Sequence, residues 1–184
     1  MKKNILAALI LSLLVFGACN NSTKVEKVTK LTEEKYLQQI DSMEKILYAH
    51  PEAGLNKDAA IKTVNVYANL VKDYPNTKLA ADYLFKAGEI SSSLNNSQEA
   101  IAFFKNAYDN YPDFKKSAYC LFLQAFIYEN QLHQLGAAEQ LYREVIKKFP
   151  NEKIAQDAQA CIDNLGKTDE ELIKEFEAKN KKNS

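Results

Sequence analysis

The chain has 184 residues with 24 acidic and 24 basic side chains, so its formal net charge is zero. No basic stripe is visible along it, which argues against a nucleic acid as partner. The chain holds only five Gly and four Pro, and it is rich in Ala, Leu, Lys, Glu and Gln, which favours helix. A chain of this length predicts a single domain with tails.

The first 18 residues are typical of a secretory signal. Two lysines precede the apolar run at residues 5–16, which is short for a membrane span but suits a signal peptide. Two small residues then stand directly before Cys19. This order resembles the signal of bacterial lipoproteins, and the resemblance implies that residues 1–18 are removed and Cys19 is acylated. The alternative is an ordinary signal with a chance cysteine.

Residues 19–30 are polar and predict a flexible tether. Removal of the signal would take away two lysines and leave a mature chain with a charge of 22 − 24 = −2. Asn20 stands where many lipoproteins retained at the inner membrane carry an aspartate. By that resemblance the chain is expected at the outer membrane on its periplasmic face, with surface display left open.

An aromatic residue followed by proline occurs three times in the rest of the chain. The pairs begin at Tyr74, Tyr111 and Phe149, so they are 37 and 38 positions apart. A fixed period of this size is typical of stacked repeats. After a shift of one period, small residues fall on small ones and large residues on large ones: Leu84 on Leu121, Gly88 on Ala125, Ala100 on Ala138, and Phe104 on Tyr142.

These positions are similar to those of the tetratricopeptide repeat, a helical hairpin of ~34 residues. The resemblance implies an all-α fold, a right-handed superhelix of stacked helix hairpins. The tryptophan found early in many such repeats is absent here, and the units are longer than usual. Longer units closed by an aromatic residue and proline resemble those of envelope lipoproteins in Gram-negative bacteria. Examples are a component of the barrel-assembly machinery and a periplasmic partner of the Tol-Pal system.

The repeat divides the remaining chain into four helix pairs. Residues 31–75 predict a divergent first pair, residues 76–150 two clear units, and residues 151–184 a partial repeat, a capping helix and a frayed tail. Within the last part, Gly166 predicts a left-handed end to a helix. The sequence at residues 168–171, Thr-Asp-Glu-Glu, predicts a capping box at the start of the next helix.

No group of residues predicts catalysis or metal binding. The two histidines, His50 and His133, both fall in predicted turns and have no second ligand at metal-binding spacing. No glycine loop for phosphate and no nucleophile elbow is present. We therefore expect no enzyme, no cofactor and no metal. The alternative function is that of an envelope hydrolase or a stand-alone substrate-capture protein.

Two cysteines, Cys120 and Cys161, remain after lipidation. An oxidising periplasm would permit a disulfide, but the two residues fall at different positions of successive repeats. Their pattern favours buried free thiols, since free cysteine is among the most buried residue types.

The predicted binding surface is the inner face of the first helix of each repeat. In tetratricopeptide proteins this face lines a groove that holds a peptide or a partner helix. Carried over position by position, the resemblance implies seven contact residues: Asp82, Phe85 and Glu89 in the first clear unit, and Tyr119, Phe122, Phe126 and Glu129 in the second.

The second set is rich in aromatic residues, which dominate binding hot spots. The alternative is that these rings pack against neighbouring helices. We expect a lipid-anchored scaffold or adaptor that binds a protein or peptide partner in the envelope, in barrel assembly or in cell-wall coordination.

Overall fold

The computed structural model describes residues 30–182. The predicted signal, Cys19 and the tether up to residue 29 lie outside the described residues. Within them the order of elements is α1 (Glu33–Leu47), a 3-10 turn (Pro51–Ala53), α2 (Lys57–Asp73), α3 (Ala80–Ser93), α4 (Ser97–Asn110), α5 (Ser117–Asn130), α6 (Leu135–Lys148), α7 (Lys153–Asn164) and α8 (Asp169–Lys182). The all-α prediction is confirmed.

The helices pack in the order in which they occur along the chain. Helices α1 and α2, α3 and α4, and α5 and α6 form antiparallel hairpins, and each hairpin packs against the next. Helix α7 packs against α6 and also reaches α5. The prediction of stacked helix hairpins is therefore confirmed. The central helices α3, α4, α5 and α6 each have 14 residues.

The recurring small residues lie where two helices approach most closely. A methyl group added at Gly88 would lie only 2.7 Å from the ring of Phe104, on the facing helix α4. Ala125 occupies the same position in the hairpin of α5 and α6, where it is fully buried, as is Tyr142 opposite. The period seen in the sequence is therefore a period of helix packing.

The tyrosines of the first two Tyr-Pro pairs connect successive turns. The hydroxyl of Tyr74 donates to the backbone oxygen of Leu31 at 2.8 Å, and that of Tyr111 donates to the backbone oxygen of Pro75 at 2.9 Å. Each hydroxyl thus satisfies a carbonyl of the preceding segment. The proline that follows begins the next turn because it cannot continue a helix.

The turns inside the two central hairpins both contain a residue in the left-handed region. These are Asn95, with φ 59°, and His133, with φ 53°. In the first turn the backbone N–H of Asn96 donates to the carbonyl of Ser91, and in the second that of Gln134 donates to the carbonyl of Tyr128. The second turn is one residue longer, which explains why the two repeats are out of step by one after it.

The C-terminal part agrees with both local predictions made for it. Gly166, with φ 78°, follows the end of α7 in the left-handed region. The N–H of Thr168 donates to Glu171 Oε2 at 2.9 Å, and the N–H of Glu171 donates to Thr168 Oγ1 at 3.3 Å. The capping box is therefore confirmed. Every side chain of α8 that the structure describes is exposed, including Ile173.

Candidate functional site

The first helices of successive hairpins present equivalent faces. After a shift of 37, each buried residue of α7 falls on a buried residue of α5, as Ala158 falls on Leu121. The same shift relates α3 to α5, so the predicted contact positions can be extended to all three helices. We define the inner surface as ten positions and leave out the buried Phe85: Asp82, Glu89 and Ser92 on α3, Tyr119, Phe122, Phe126 and Glu129 on α5, and Gln156, Gln159 and Asp163 on α7.

The aromatic part of the inner surface lies on α5. Tyr119 and Phe126 are seven residues apart, two helical turns, so they share one face. Each is 44% exposed, which is high for a large ring. Phe122 lies between them and is half-buried, with its ring centroid 5.3 Å from that of Tyr142. Two rings are thus open to a partner, and the third supports them from the core.

The inclusion of Phe85 in the predicted binding surface is wrong. Its side chain is only 4% exposed. Its ring centroid lies 5.5 Å from that of Phe104 and 5.9 Å from that of Phe114. The ammonium of Lys116 lies 4.4 Å from the Phe85 ring centroid. The close approach of α3 to α4 and the ring supplied by the following turn draw Phe85 into the core.

Glu129 has an internal partner that the sequence analysis missed. Its Oε2 accepts a hydrogen bond of 2.7 Å from the hydroxyl of Tyr142. Burial and this hydrogen bond raise the pKa of Tyr142, so the phenol stays protonated and remains a donor. The carboxylate therefore satisfies a polar group that α6 brings into the core.

The same arrangement occurs in the first hairpin. The hydroxyl of Tyr67 donates to Glu44 Oε1, and the ammonium of Lys86 donates to the same oxygen at 2.7 Å. Burial alone would raise the pKa of Glu44, but the hydrogen bonds from Lys86 and Tyr67 hold it below its ordinary value. In the hairpin between them the ring belongs to Phe104 and needs no partner. The hydrogen bond between tyrosine and glutamate is therefore absent from the middle hairpin. A search for residues that recur in every repeat does not find it.

Glu89 differs from the other carboxylates of this region. Its side chain is exposed, and among residues 30–182 its carboxylate makes no hydrogen bond and no ion pair within 4.0 Å. Partial desolvation raises its pKa, while the more distant Lys116 and Lys86 oppose that shift. Glu89 is thus a charged group on the inner surface that no neighbour holds in place.

Two cavities of the structure lie away from the exposed rings of Tyr119 and Phe126. A cavity of about 550 Å³ lies between α2 and α4, lined by Val71 and Phe103 among others. Another of about 580 Å³ lies at the turn before α5, and Asp82 is the member of the inner surface that lines it. The accessible rings of Tyr119 and Phe126 therefore form an open surface, which suits a peptide or helix better than a small molecule.

Both described cysteines are free. Cys120 is fully buried, as the sequence pattern favours, and burial raises the pKa of its thiol to about 12. Cys161 is half-buried, and its pKa is also raised by desolvation. Within residues 30–182, no three His, Cys, Asp or Glu side chains are grouped as metal ligands, and no helix there is long and apolar enough to cross a membrane.

Comparison with protein families identifies the two central hairpins. Residues 82–113 and 119–152 each match the family described as the tetratricopeptide repeat, and no enzyme family is found. A search of curated proteins finds no match. The matched segments coincide with α3–α4 and α5–α6, the hairpins that carry the repeating small and large residues. The middle of this chain is therefore similar to two tetratricopeptide repeats, a type of repeat that suggests a scaffold for protein–protein interaction.

Proposed function

We propose that this protein is a lipid-anchored scaffold of the bacterial cell envelope that binds a protein partner through its inner surface. The observation that carries the proposal is the joint exposure of Tyr119 and Phe126 on one face of the second repeat. Large aromatic rings that stay exposed together on a solvent-facing helix surface, beside a well-packed core, indicate a site of interaction.

Burial of these two rings by a partner would contribute enough free energy to support binding. An aromatic side chain buries about 150–250 Å² when fully covered. Because each ring is 44% exposed, covering the remainder would contribute about 2 kcal/mol per ring at ~25 cal/mol per Å². Both rings project from a helix that is packed on two sides, so little conformational entropy is lost on binding.

The anchoring part of the proposal is supported by the order of segments in the sequence. A basic start, a short apolar run and two small residues precede Cys19, and a polar stretch follows it. Two or three acyl chains hold a protein stably on a membrane. The likeness of the long repeats to those of barrel-assembly and Tol-Pal lipoproteins supports a place at the periplasmic face of the outer membrane.

The anchor is tested by Cys19→Ala in cells supplied with a clickable palmitate. We expect the wild-type chain to be labelled and shortened, and the variant to remain unlabelled at precursor length. Continued labelling of the variant would exclude Cys19 as the acylated residue. Cys120→Ala serves as the control, since a fully buried cysteine should leave labelling unchanged.

The binding surface is tested by photo-crosslinking in intact cells. A photoreactive phenylalanine replaces Phe126 on the inner surface, and in a second strain it replaces Ala102, an exposed residue of α4. We expect a discrete crosslinked protein from position 126 only, and its loss when Tyr119→Ala is added. Equal products from both positions, or none from position 126, would contradict the assignment of the inner surface.

A further inference from the structure

We infer that the segment bound by the inner surface is a basic amphipathic peptide, one that carries Lys or Arg beside apolar side chains. The inference rests on the proposed function, because it names the chemistry of the partner at the same surface. It is drawn from the charges of that surface, from the contacts its carboxylates lack, and from their distance in sequence from the exposed rings.

The inner surface is acidic although the whole chain is neutral. Of its ten positions, four are carboxylates and none is Lys or Arg, whereas the chain holds 24 basic and 24 acidic residues. The four are distributed over all three helices: Asp82 and Glu89 on α3, Glu129 on α5, and Asp163 on α7. A cationic partner would meet a complementary charge at each helix.

None of these four carboxylates belongs to an ion pair in the part of the chain that the structure describes. Glu129 accepts from the neutral hydroxyl of Tyr142, and Asp163 accepts from the neutral amide of Gln159 at 2.7 Å. Some acidic residues elsewhere do form ion pairs, as Glu44 does with Lys86 and Glu139 with Arg143. The negative charge of the inner surface is therefore available to a ligand.

Two lysines lie near one edge of this surface, and both are already engaged. Lys86 binds Glu44 at 2.7 Å. The ammonium of Lys116 lies over the ring of Phe85. Both act on Glu89 from more than 4.0 Å, so they weaken the acidic character of that edge without removing it. On α5 and α7, none of the positions of the inner surface is itself a lysine or an arginine.

The aromatic and acidic groups are spaced to accept one long cationic side chain together. Glu129 follows Phe126 by three residues, so the two lie on neighbouring turns of one face. A Lys or Arg can lay its apolar stem on a ring while its charged end reaches a carboxylate. Aliphatic residues on the same side of a peptide helix would cover Tyr119.

The test measures binding of the full-length mature protein, in detergent, to two fluorescent helical peptides of 16 residues. Both peptides have leucines on one face; one has lysines on the flanking positions and the other has glutamates. We expect the lysine peptide to bind at least about tenfold more tightly at low salt and to lose most of this advantage as salt is raised.

Two variants locate the binding. Glu89→Gln with Asp163→Asn should weaken the lysine peptide about fivefold, and Phe126→Ala should weaken it at least as much. The matched control is Asp58→Asn, an exposed acidic residue on α2 outside the inner surface, which should change affinity by less than about twofold. Circular dichroism confirms that each variant keeps its helices.

The outcomes separate this inference from the proposed function. Equal or tighter binding of the glutamate peptide would overturn the inference, as would lysine-peptide binding that ignores the inner-surface variants or the absence of binding to either peptide. In each of these cases, crosslinking from position 126 in cells still decides whether the surface binds a protein. Crosslinking that succeeds while the lysine peptide fails would leave the proposed function standing and remove the basic partner.

Discussion

In the first repeat, α3 and α4, the ring of Phe85 turns into the core, where it meets Phe104 and Phe114. In the second repeat, α5 and α6, the ring of Phe122 occupies the equivalent position but is only half-buried. The helices of the two repeats have the same length. The difference therefore does not come from the length of the helices.

The comparison shows how one fold yields a closed face and an open one. Glycine at position 88 lets the Phe104 ring of α4 lie where it would be only 2.7 Å from an added methyl group, and Phe85 packs against the same ring. Alanine stands at the equivalent position 125 in the second repeat, where the hydroxyl of Tyr142 donates to Glu129. The second repeat has two exposed rings on its inner surface, Tyr119 and Phe126, where the first repeat has Asp82 and Glu89.

The largest effect is expected from Phe104→Ala. The ring is 1% exposed and holds Phe85 in place, so its loss leaves a cavity that should cost about 3–5 kcal/mol in the free energy of unfolding. Phe126→Ala, in the second repeat, should lower the free energy of unfolding by less than about 0.5 kcal/mol, because the ring is partly exposed and its loss leaves no closed cavity. Urea denaturation followed by circular dichroism measures both, and similar values would contradict the distinction.

Gly88→Ala should have the next largest effect. Alanine favours helix by about 1 kcal/mol, but its methyl group would meet the Phe104 ring at 2.7 Å. We expect a net loss of about 1–3 kcal/mol from overpacking. The reverse change in the other repeat, Ala125→Gly, should cost only about 1 kcal/mol. Adding Phe104→Leu to Gly88→Ala should restore part of the loss; failure to do so would place the strain elsewhere.

Much of the fold could be predicted because it depends on residues close together in sequence. The spacing of Tyr74, Tyr111 and Phe149 marks the ends of successive hairpins, and small residues mark the helix crossings. The capping box at Thr168 and the left-handed Gly166 are signals contained in a few residues. Such local patterns need no knowledge of how the hairpins lie against one another.

The site was predicted less completely because it depends on distant contacts. The burial of Phe85 depends on Phe114, which comes from the turn after α4. It also depends on the close approach of the Phe104 ring to Gly88. The pairing of Lys86 with Glu44 joins residues 42 positions apart. The pattern of helix positions indicates which residues share a face. It does not indicate which of them the neighbouring hairpin covers.

Tyr142→Phe tests the polar half of the comparison. Removing the hydroxyl deprives Glu129 of its partner, and we expect a loss of about 1–2 kcal/mol, since a hydrogen bond to a charged group is lost. Phe104→Tyr in the first repeat should cost a similar amount, because Ser92 stands where Glu129 would be needed. Thermal unfolding of the double variant Phe104→Tyr with Ser92→Glu should recover stability; a further fall would contradict the equivalence.

The smallest effect is expected from the thiol of Cys120. Its pKa is raised by burial to about 12 from an ordinary value near 9. The native state therefore holds the proton longer than the unfolded state, and the contribution to stability is complete below about pH 9 and lost as the pH rises towards 12. Between pH 9 and pH 10 the loss should be about 1 kcal/mol.

The measurement is the slope of unfolding free energy against pH, compared with that of Cys120→Ala. The tyrosines contribute equally to both proteins, so the difference between the slopes belongs to Cys120. Identical slopes would contradict the burial of this thiol. Cys161, which is half-buried, should react with a thiol reagent in the native protein well before Cys120.

Within residues 30–182 the extensive contacts between helices run within hairpins and between adjacent ones, which gives the stack two ends that do not support each other directly. No extensive contact joins α1 to α7. The end of the stack at α7 can therefore open and close while the first hairpin stays protected. Amide hydrogens should then exchange along a gradient, fastest near α8 and slowest in the middle of the stack. Such local opening would let the α7 part of the inner surface, at Gln159 and Asp163, change its shape without displacing the rings on α5.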